Sequence, residues 1–109
     1  MKRFKNFTET PWGPSQGEKE LAPGIISYFT ASHGGIRLSP ERQAALRAAQ
    51  PAIRNFLGSL EWWEEDCDWS VPYLFFASDI AKHGKAYRYH KNMVAAARTV
   101  RQWHPEYKF

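Results

Sequence analysis

The segment from Glu61 to Trp69 constrains the fold of this chain more than any other. Its nine residues hold three indoles, five carboxylates and the only thiol of the chain, in the order Glu61-Trp62-Trp63-Glu64-Glu65-Asp66-Cys67-Asp68-Trp69. An indole favours burial with a partner for its N–H group, whereas a carboxylate resists burial unless it is paired. We therefore expect this segment to lie where the hydrophobic core meets the surface or a partner, which makes it a candidate site.

Chain length and composition predict one domain over residues 1–109. A chain of 109 residues buries roughly 65% of the surface of its unfolded state, and that is enough for one core. One cysteine cannot form an internal disulfide, and no apolar stretch follows the polar N-terminus, so secretion is not expected. The longest apolar run, Val71–Ala77, is far shorter than the roughly 20 residues of a membrane span. We expect a cytoplasmic protein with no membrane contact.

The net charge of +4 hides an uneven distribution. Basic residues crowd both ends of the chain, whereas the middle is acidic. This pattern suits either an anionic partner for the basic ends or an internal pairing of the C-terminal cations with the acids at 61–68.

Residue patterns in the first half predict an irregular arm, a hairpin and a helical pair. Residues 1–23 are rich in polar and turn-forming residues, and they predict an irregular N-terminal arm with one short strand around Phe7. Residues 24–39 predict a β-hairpin, because a β-branched and aromatic run precedes Gly34-Gly35, which can supply the positive φ angles of a tight turn. Ser39 and Pro40 predict a helix start. Pro51 should break this helix, which makes residues 40–58 a helical pair ending at Gly58.

The second half is predicted to hold an apolar element and a long helix. Residues 61–82 contain the Trp/acid segment and the run Tyr73–Ala77, which suits either a helix capped by Asp68 or Ser70 or a buried strand. Residues 85–104 carry apolar side chains at spacings of three and four, and they predict a basic amphipathic helix ended by Pro105. The expected class is α+β, with a small β-hairpin or short antiparallel sheet packed against three to four helices.

A catalytic site would draw on His33, Cys67 and Asp66. His33 could act as a base beside the amides of Gly34 and Gly35, and Cys67 could act as a nucleophile. However, each carboxylate within ~5 Å opposes a thiolate by up to ~3 kcal/mol at an effective dielectric of 20, whereas a helix N-terminus returns only ~0.3–1 kcal/mol. The thiol is therefore expected to stay protonated, and no catalytic residue is assigned.

Metal and cofactor sites have little support in the local spacing. The chain has no His-x-x-x-His and no Cys-x-x-Cys motif. A tertiary site built from His33, Cys67 and Asp66 remains an alternative, but we expect no metal and no cofactor.

Nucleic-acid binding is a further alternative. It would use the basic face of the C-terminal helix, formed by Arg88, Lys91, Arg98 and Arg101. The same cations could equally form a solvated face.

Four groups of residues recur in a fixed order in a family of bacterial domains. They are Thr10-Pro11-Trp12-Gly13, Gly24-Ile25, Ser32-His33-Gly34-Gly35-Ile36-Arg37-Leu38-Ser39-Pro40-Glu41-Arg42 and Trp62-Trp63-Glu64-Glu65-Asp66-Cys67-Asp68-Trp69. On these groups the chain resembles the uncharacterised DUF7007-like domain of plasmid-, integrative-element- and phage-borne proteins. The resemblance covers about residues 10–78, with Trp63 at a position where the family has Tyr, and it leaves out the basic helix.

The resemblance implies a mobile-element setting and no particular activity. Together with the Trp/acid segment it leads to the expectation of a non-enzymatic accessory protein that binds a host or mobile-element protein, with antagonism of a host defence system as one setting. The expected contact residues are Trp62, Trp63, Glu64, Glu65 and Asp66, which combine aromatic anchors with negative charge. A small hydrolase or metal-assisted enzyme using His33 with the acids at 64–68 and Cys67 is the alternative.

Overall fold

In the residues that the structure describes, the fold combines a four-stranded antiparallel sheet, a two-stranded hairpin and four helices, and this confirms the α+β class. The computed structural model describes residues 8–55, 57–84 and 89–109, with side chains from residue 92 onward in the last range. The strands are β1 (Glu9–Thr10), β2 (Gly13–Pro14), β3 (Gly17–Ala22), β4 (Ile25–Phe29), β5 (Gly34–Leu38) and β6 (Trp62–Glu64). The helices are α1 (Pro40–Ala49), α2 (Ser70–Phe75), α3 (Ala77–His83) and α4 (Tyr89–Trp103).

The main sheet has the strand order β3-β4-β5-β6. The hairpin predicted at 24–39 is present, with β4 and β5 paired from Ile25 opposite Leu38 to Phe29 opposite Gly34. The short strand β6 then adds to β5, with Ile36 opposite Trp63. A distant part of the chain, the Trp/acid segment, is thereby fixed against the hairpin.

The prediction that Gly34-Gly35 forms the hairpin turn is wrong. Both glycines lie in β5, and neither has a positive φ angle. Thr30 closes the turn instead, because its hydroxyl donates to the His33 carbonyl at 2.7 Å and accepts from the His33 amide at 3.1 Å. Gly35 is required for another reason: a Cβ there would collide with the Trp12 ring and the Trp63 carbonyl oxygen.

The prediction of an irregular arm over residues 1–23 is wrong from residue 9 onward. Strands β1 and β2 form a small hairpin, and β3 forms the edge of the main sheet. The sequence of β3 has few strand-favouring residues, but pairing with β4 supplies the backbone hydrogen bonds that hold it. The strand expected around Phe7 falls on residues that lie outside the described ranges.

Residues 40–58 contain one helix rather than the predicted helical pair. Ser39 caps α1 as expected, with its Oγ accepting the Arg42 amide at 3.2 Å, and the helix ends at Ala49. The described residues between Pro51 and Gly58 are not helical. The Asn55 side-chain amide donates to the carbonyls of Ser59 and Trp62, so this segment is organised as a loop by side-chain contacts that helical periodicity cannot reveal.

The apolar run at 73–77 is helical and is shared by α2 and α3. The expected side-chain cap by Asp68 or Ser70 is absent, because Ser70 Oγ donates to the Cys67 carbonyl at 2.6 Å and the N-cap residue is Trp69. The first part of the helix predicted at 85–104 falls on residues outside the described ranges. Helix α4 runs from Tyr89 to Trp103 and ends two residues before Pro105.

One hydrophobic core lies between the inner face of the sheet and the helices. Its fully buried side chains come from β4, β5, α1, β6, α2 and α4: Ile25, Leu38, Leu46, Trp63, Val71 and Val100. Of the helices in the described ranges, none combines the length and the apolar character that crossing a bilayer demands.

Candidate functional site

Strand β6 divides the Trp/acid segment between the interior and the outer face of the sheet. Because successive side chains of a strand point to opposite faces, Trp63 joins Ile36 in the core, whereas Trp62 and Glu64 lie on the outer face. Trp63 is fully buried and its Nε1 donates to the Leu60 carbonyl at 2.7 Å. Trp63 is therefore a core residue, and the prediction that it contacts a partner is wrong.

The outer face carries an aromatic cluster formed by Trp12, Tyr28 and Trp62. The half-buried Trp62 ring lies perpendicular to the Trp12 ring at a centroid distance of 5.8 Å, and its centroid is 5.4 Å from that of Tyr28. The Arg37 guanidinium lies 4.9 Å from the Trp62 ring centroid, and its Nε donates to Glu61 at 2.8 Å. Trp62 is therefore held in one orientation while part of its surface faces solvent.

The acids that follow β6 form a tight turn over residues 64–69, here called the Glu64 turn. The Glu64 carboxylate accepts the backbone N–H groups of Asp66 at 2.7 Å, Cys67 at 2.7 Å and Asp68 at 2.9 Å. Burial raises the pKa of Glu64, but these hydrogen bonds outweigh it and lower the pKa below its ordinary value. Glu64 is thus an ionised residue that shapes the turn, rather than a freely available contact residue.

A concavity of about 400 Å³ lies beside this turn, and we call it the Glu64 pocket. Its lining residues are Trp12, His33, Glu64, Asp66 and Cys67. The structure therefore brings the three catalytic candidates His33, Cys67 and Asp66 to one depression. The exposed His33 ring, however, makes its contact with Glu65, at 3.3 Å from Nδ1 to Oε2.

The thiol of Cys67 is not activated as a nucleophile. Burial, a hydrogen bond to Glu64 and the charges of Glu64, Asp68 and Asp66 together raise the pKa of Cys67 to about 11. The sequence reasoning identified the opposing carboxylates but did not anticipate burial, which is the largest cause. At neutral pH the side chain is a neutral thiol that donates to Glu64.

Three ligand atoms, one each from Glu64, Cys67 and Asp68, lie within 4.8 Å of one another. The group does not include His33 or Asp66, which the sequence had offered as ligands. These ligand atoms already have other partners. Glu64 accepts the backbone N–H groups of the turn, the Cys67 thiol is protonated, and Asp68 contacts His104. The arrangement is better suited to holding the turn than to receiving a cation.

A buried charged contact behind the turn was missed by the sequence analysis. His104 Nε2 lies 2.9 Å from Asp68 Oδ1, and its Nδ1 lies 3.0 Å from Glu106 Oε2. His104 and Asp68 form an ion pair, but the angles at His104 Nε2 are not those of a hydrogen bond. Burial lowers the pKa of His104, but the two carboxylates outweigh it and raise the pKa above its ordinary value. The acids at 61–68 were expected to pair with C-terminal lysines or arginines, whereas this partner is a histidine.

The basic face of α4 is only partly described. Arg98 and Arg101 are exposed, and the Arg101 guanidinium lies 4.4 Å from the Phe109 ring centroid. Arg88 and the side chain of Lys91 lie outside the described residues. Nucleic-acid binding by this face stays a prediction.

Comparison with known proteins places the chain in a family. No curated protein and no solved structure matches it. A family model described as "Domain of unknown function (DUF7007)" matches residues 5–108. This match extends through α4, which the resemblance over about residues 10–78 had left out. The chain belongs to the DUF7007 family of domains of unknown function.

Proposed function

We propose that this protein acts by binding another protein, without catalysis, through a contact surface formed by Trp12, Trp62, Glu65 and Asp66. The observation that carries the proposal is the partly exposed Trp62, held between Trp12, Tyr28 and the Arg37 guanidinium at the edge of the acidic turn. Rigid aromatic side chains are frequent anchors of protein interfaces. An anchor that is already held in place loses little conformational freedom when a partner binds.

The charge of the surface points to a partner with a basic patch. Glu65 and Asp66 are exposed, and the Glu64 turn fixes the backbone that carries them. Complementary charge speeds association and selects among partners. A basic surface that also offers an apolar or planar group for Trp62 is the matching chemistry.

The geometry gives less support to catalysis. The thiol is protonated because its pKa is about 11, and the imidazole of His33 contacts Glu65 rather than the thiol. A nucleophile needs a base within hydrogen-bond reach. The binding proposal uses the observed state of these groups without requiring them to rearrange.

The biological setting is part of the proposal. We place the protein in the cytoplasm of a bacterial cell that carries a phage or plasmid, as an accessory protein whose partner comes from the host or the element. Antagonism of a host defence system is the setting that fits a small binding protein. The single unpaired cysteine and the residues that carry the family resemblance support this placement.

The proposal is tested by comparing capture of a partner by matched variants. The wild-type protein, Trp62→Ala, Asp66→Lys and the control Glu41→Lys are used as bait in lysates of a bacterial host. Glu41 is exposed on α1 and undergoes the same charge change as Asp66, but it lies outside the contact surface. Each captured protein is then purified and its Kd for every variant is measured.

We expect wild type and Glu41→Lys to bind the same protein with equal Kd. Trp62→Ala and Asp66→Lys should weaken binding at least about tenfold, since truncation of a central aromatic anchor costs about 2 kcal/mol or more. Near-ultraviolet circular dichroism checks that each variant is folded. Equal affinity across all four proteins, or no partner that survives purification, contradicts the proposal.

A further inference from the structure

We infer that the Glu64 pocket receives the guanidinium group of an arginine side chain from the partner protein. The inference rests on the proposed function and names the chemical group that the contact surface recognises. It follows from the shape of the pocket, the state of its titratable groups and the geometry of its aromatic wall.

The pocket has a size and lining suited to a polar side chain. Its volume of about 400 Å³ lies near the lower end of the range for ligand sites. Trp12 forms an aromatic wall, while Glu64 and Asp66 contribute carboxylates. The volume accommodates one long side chain together with a little flanking backbone.

The pocket carries a negative charge that its own residues do not neutralise. Glu64 is ionised, because the turn amides hold its pKa below the ordinary value. Cys67 adds no charge, since its pKa is about 11. His33, the basic residue of the lining, contacts Glu65 instead of either pocket carboxylate. A cationic group from outside would complete this arrangement.

Asp66 is the residue placed to make direct hydrogen bonds. Its backbone N–H donates to Glu64 Oε2 at 2.7 Å, which fixes its position in the turn, and the residue itself is exposed. A carboxylate with accessible oxygens can accept two parallel N–H groups from one guanidinium. Glu64, whose oxygens already accept three backbone N–H groups, contributes mainly a fixed charge.

Trp12 is held rigidly enough to act as a stacking surface. Its backbone N–H donates to Thr10 Oγ1 at 3.1 Å, its ring lies perpendicular to the Trp62 ring, and it rests against Gly35, where a Cβ would collide with it. Planar cations stack on indole faces. The same type of contact already exists nearby, where the Arg37 guanidinium covers Trp62.

These features favour arginine over lysine and over a metal ion. A guanidinium is planar and weakly hydrated, so it can stack on an indole and bind a carboxylate through two N–H groups at once. An ammonium is a compact, strongly hydrated charge that cannot do both as well. A metal ion would have to compete with the three backbone N–H groups that Glu64 already accepts and, at Cys67, with the proton of the thiol.

The test is a nuclear magnetic resonance titration of the full chain with three blocked tripeptides. The peptides are acetyl-Gly-Arg-Gly-amide, its citrulline analogue and its lysine analogue. Citrulline keeps the shape of arginine but has no charge. The readout is the indole Nε1–H resonance of Trp12, assigned by its loss in Trp12→Phe.

Two variants isolate the pocket. Asp66→Asn removes the carboxylate with almost no change of shape. Glu41→Gln is the matched control, because it removes an exposed carboxylate on α1 that lies outside the contact surface and does not line the pocket. Thermal unfolding and the amide spectrum verify that both variants keep the fold.

We expect the arginine peptide to shift the Trp12 resonance in a saturable manner and the citrulline peptide to leave it unchanged. Asp66→Asn should weaken arginine binding about tenfold, as loss of a charge-assisted hydrogen bond does, and Glu41→Gln by less than about twofold. Equal binding of citrulline, binding of lysine as tight as that of arginine, or insensitivity to Asp66→Asn overturns the inference.

The result separates this inference from the proposed function. If no peptide binds but a purified partner still requires Trp62, the arginine pocket is wrong and the binding function stands. If arginine binds through Asp66 but no purified partner depends on Trp62 or Asp66, the pocket stands and the proposed function is wrong.

Discussion

Trp62 and Trp63 are neighbours in the sequence, but they have opposite surroundings. The pleat of β6 directs Trp63 into the core, where its side chain is 0% exposed, and directs Trp62 to the outer face. From composition alone both are predicted to anchor a protein interface, because an indole has the same hydrophobic area and the same N–H group in either place. Pairing with β5 determines which of the two side chains points outward, so Trp63 packs in the core while Trp62 keeps part of its surface exposed.

This difference predicts unequal losses of stability. Trp63→Ala should lower the free energy of unfolding by about 3–5 kcal/mol, because it leaves a large cavity and removes the hydrogen bond to Leu60. Trp62→Ala should cost clearly less, because its ring is only half-buried. Urea denaturation of both variants measures the difference. Equal losses would show that the assignment of the two faces is wrong.

The state of Cys67 leads to a prediction about its reactivity. With its pKa raised to about 11, the folded protein should react with a thiol reagent at pH 7 about 10- to 100-fold more slowly than the same chain in urea. Glu64→Gln should speed the reaction, because it removes a charge that opposes the thiolate. Glu65→Gln serves as a control and should change the rate little. A folded rate equal to the unfolded rate would contradict the protonated thiol.

Local signals and long-range contacts contributed differently to the individual elements. The hairpin at 24–39 and the start of α1 were predictable, because β-branched runs and an N-cap followed by proline act through nearby backbone. Strand β3 was not predictable, since its hydrogen bonds come from pairing with β4 rather than from its own residues. The role of the two glycines was misjudged for the same reason. Gly35 is required because Trp12 and Trp63, which belong to other parts of the chain, leave no room for a Cβ there.

The close approach at β5 predicts a specific cost. Gly35→Ala should lower the free energy of unfolding by about 1–3 kcal/mol, because the new Cβ would collide with the Trp63 carbonyl, a backbone atom that cannot yield easily. Gly84→Ala is a matched control, since its Cβ would lie 3.4 Å from the Ile80 carbonyl oxygen, which is an ordinary van der Waals contact. Chemical denaturation compares them, and a harmless Gly35→Ala would contradict the packing.

Across the molecule, the C-terminus braces the candidate site through one histidine. His104 connects the end of α4 to Asp68 in the Glu64 turn and to Glu106, and its side chain is only 6% exposed. Gln50 and Lys108 exchange two further hydrogen bonds, which attach the last residues to the end of α1. The Glu64 turn is thus held by a residue about forty positions later in the chain.

The His104 contacts predict how stability changes with pH. The pKa of His104 is raised by folding, so its contribution is complete below about pH 6.5 and is lost as the pH rises through the folded pKa. The pKa of Glu106 is lowered, so its contribution is complete above about pH 4.5 and is lost as the pH falls through the folded pKa. Together His104 and Glu106 contribute most to the free energy of unfolding between about pH 4.5 and about pH 6.5.

Replacing His104 tests this dependence. His104→Gln should lower the free energy of unfolding by about 3 kcal/mol near pH 6. It should also abolish much of the decrease in stability that the wild type shows above pH 6.5. His83→Gln is the control, because His83 contacts Glu20 at 3.1 Å in an exposed pair that contributes little. Thermal unfolding from pH 4 to pH 9 records both profiles. A His104→Gln profile parallel to that of the wild type would contradict the buried pair.

The amino-acid sequence was sufficient to establish the α+β class, the hairpin, the capped start of α1 and the place of the Trp/acid segment at a boundary. These properties depend on hydrophobic pattern, backbone preference and the cost of burying charge, all of which act over a few residues. Three-dimensional packing settled which tryptophan faces outward, that Glu64 shapes the turn and that His104 braces it. Each of these depends on groups brought together from distant positions, and a linear pattern carries no information about those distances.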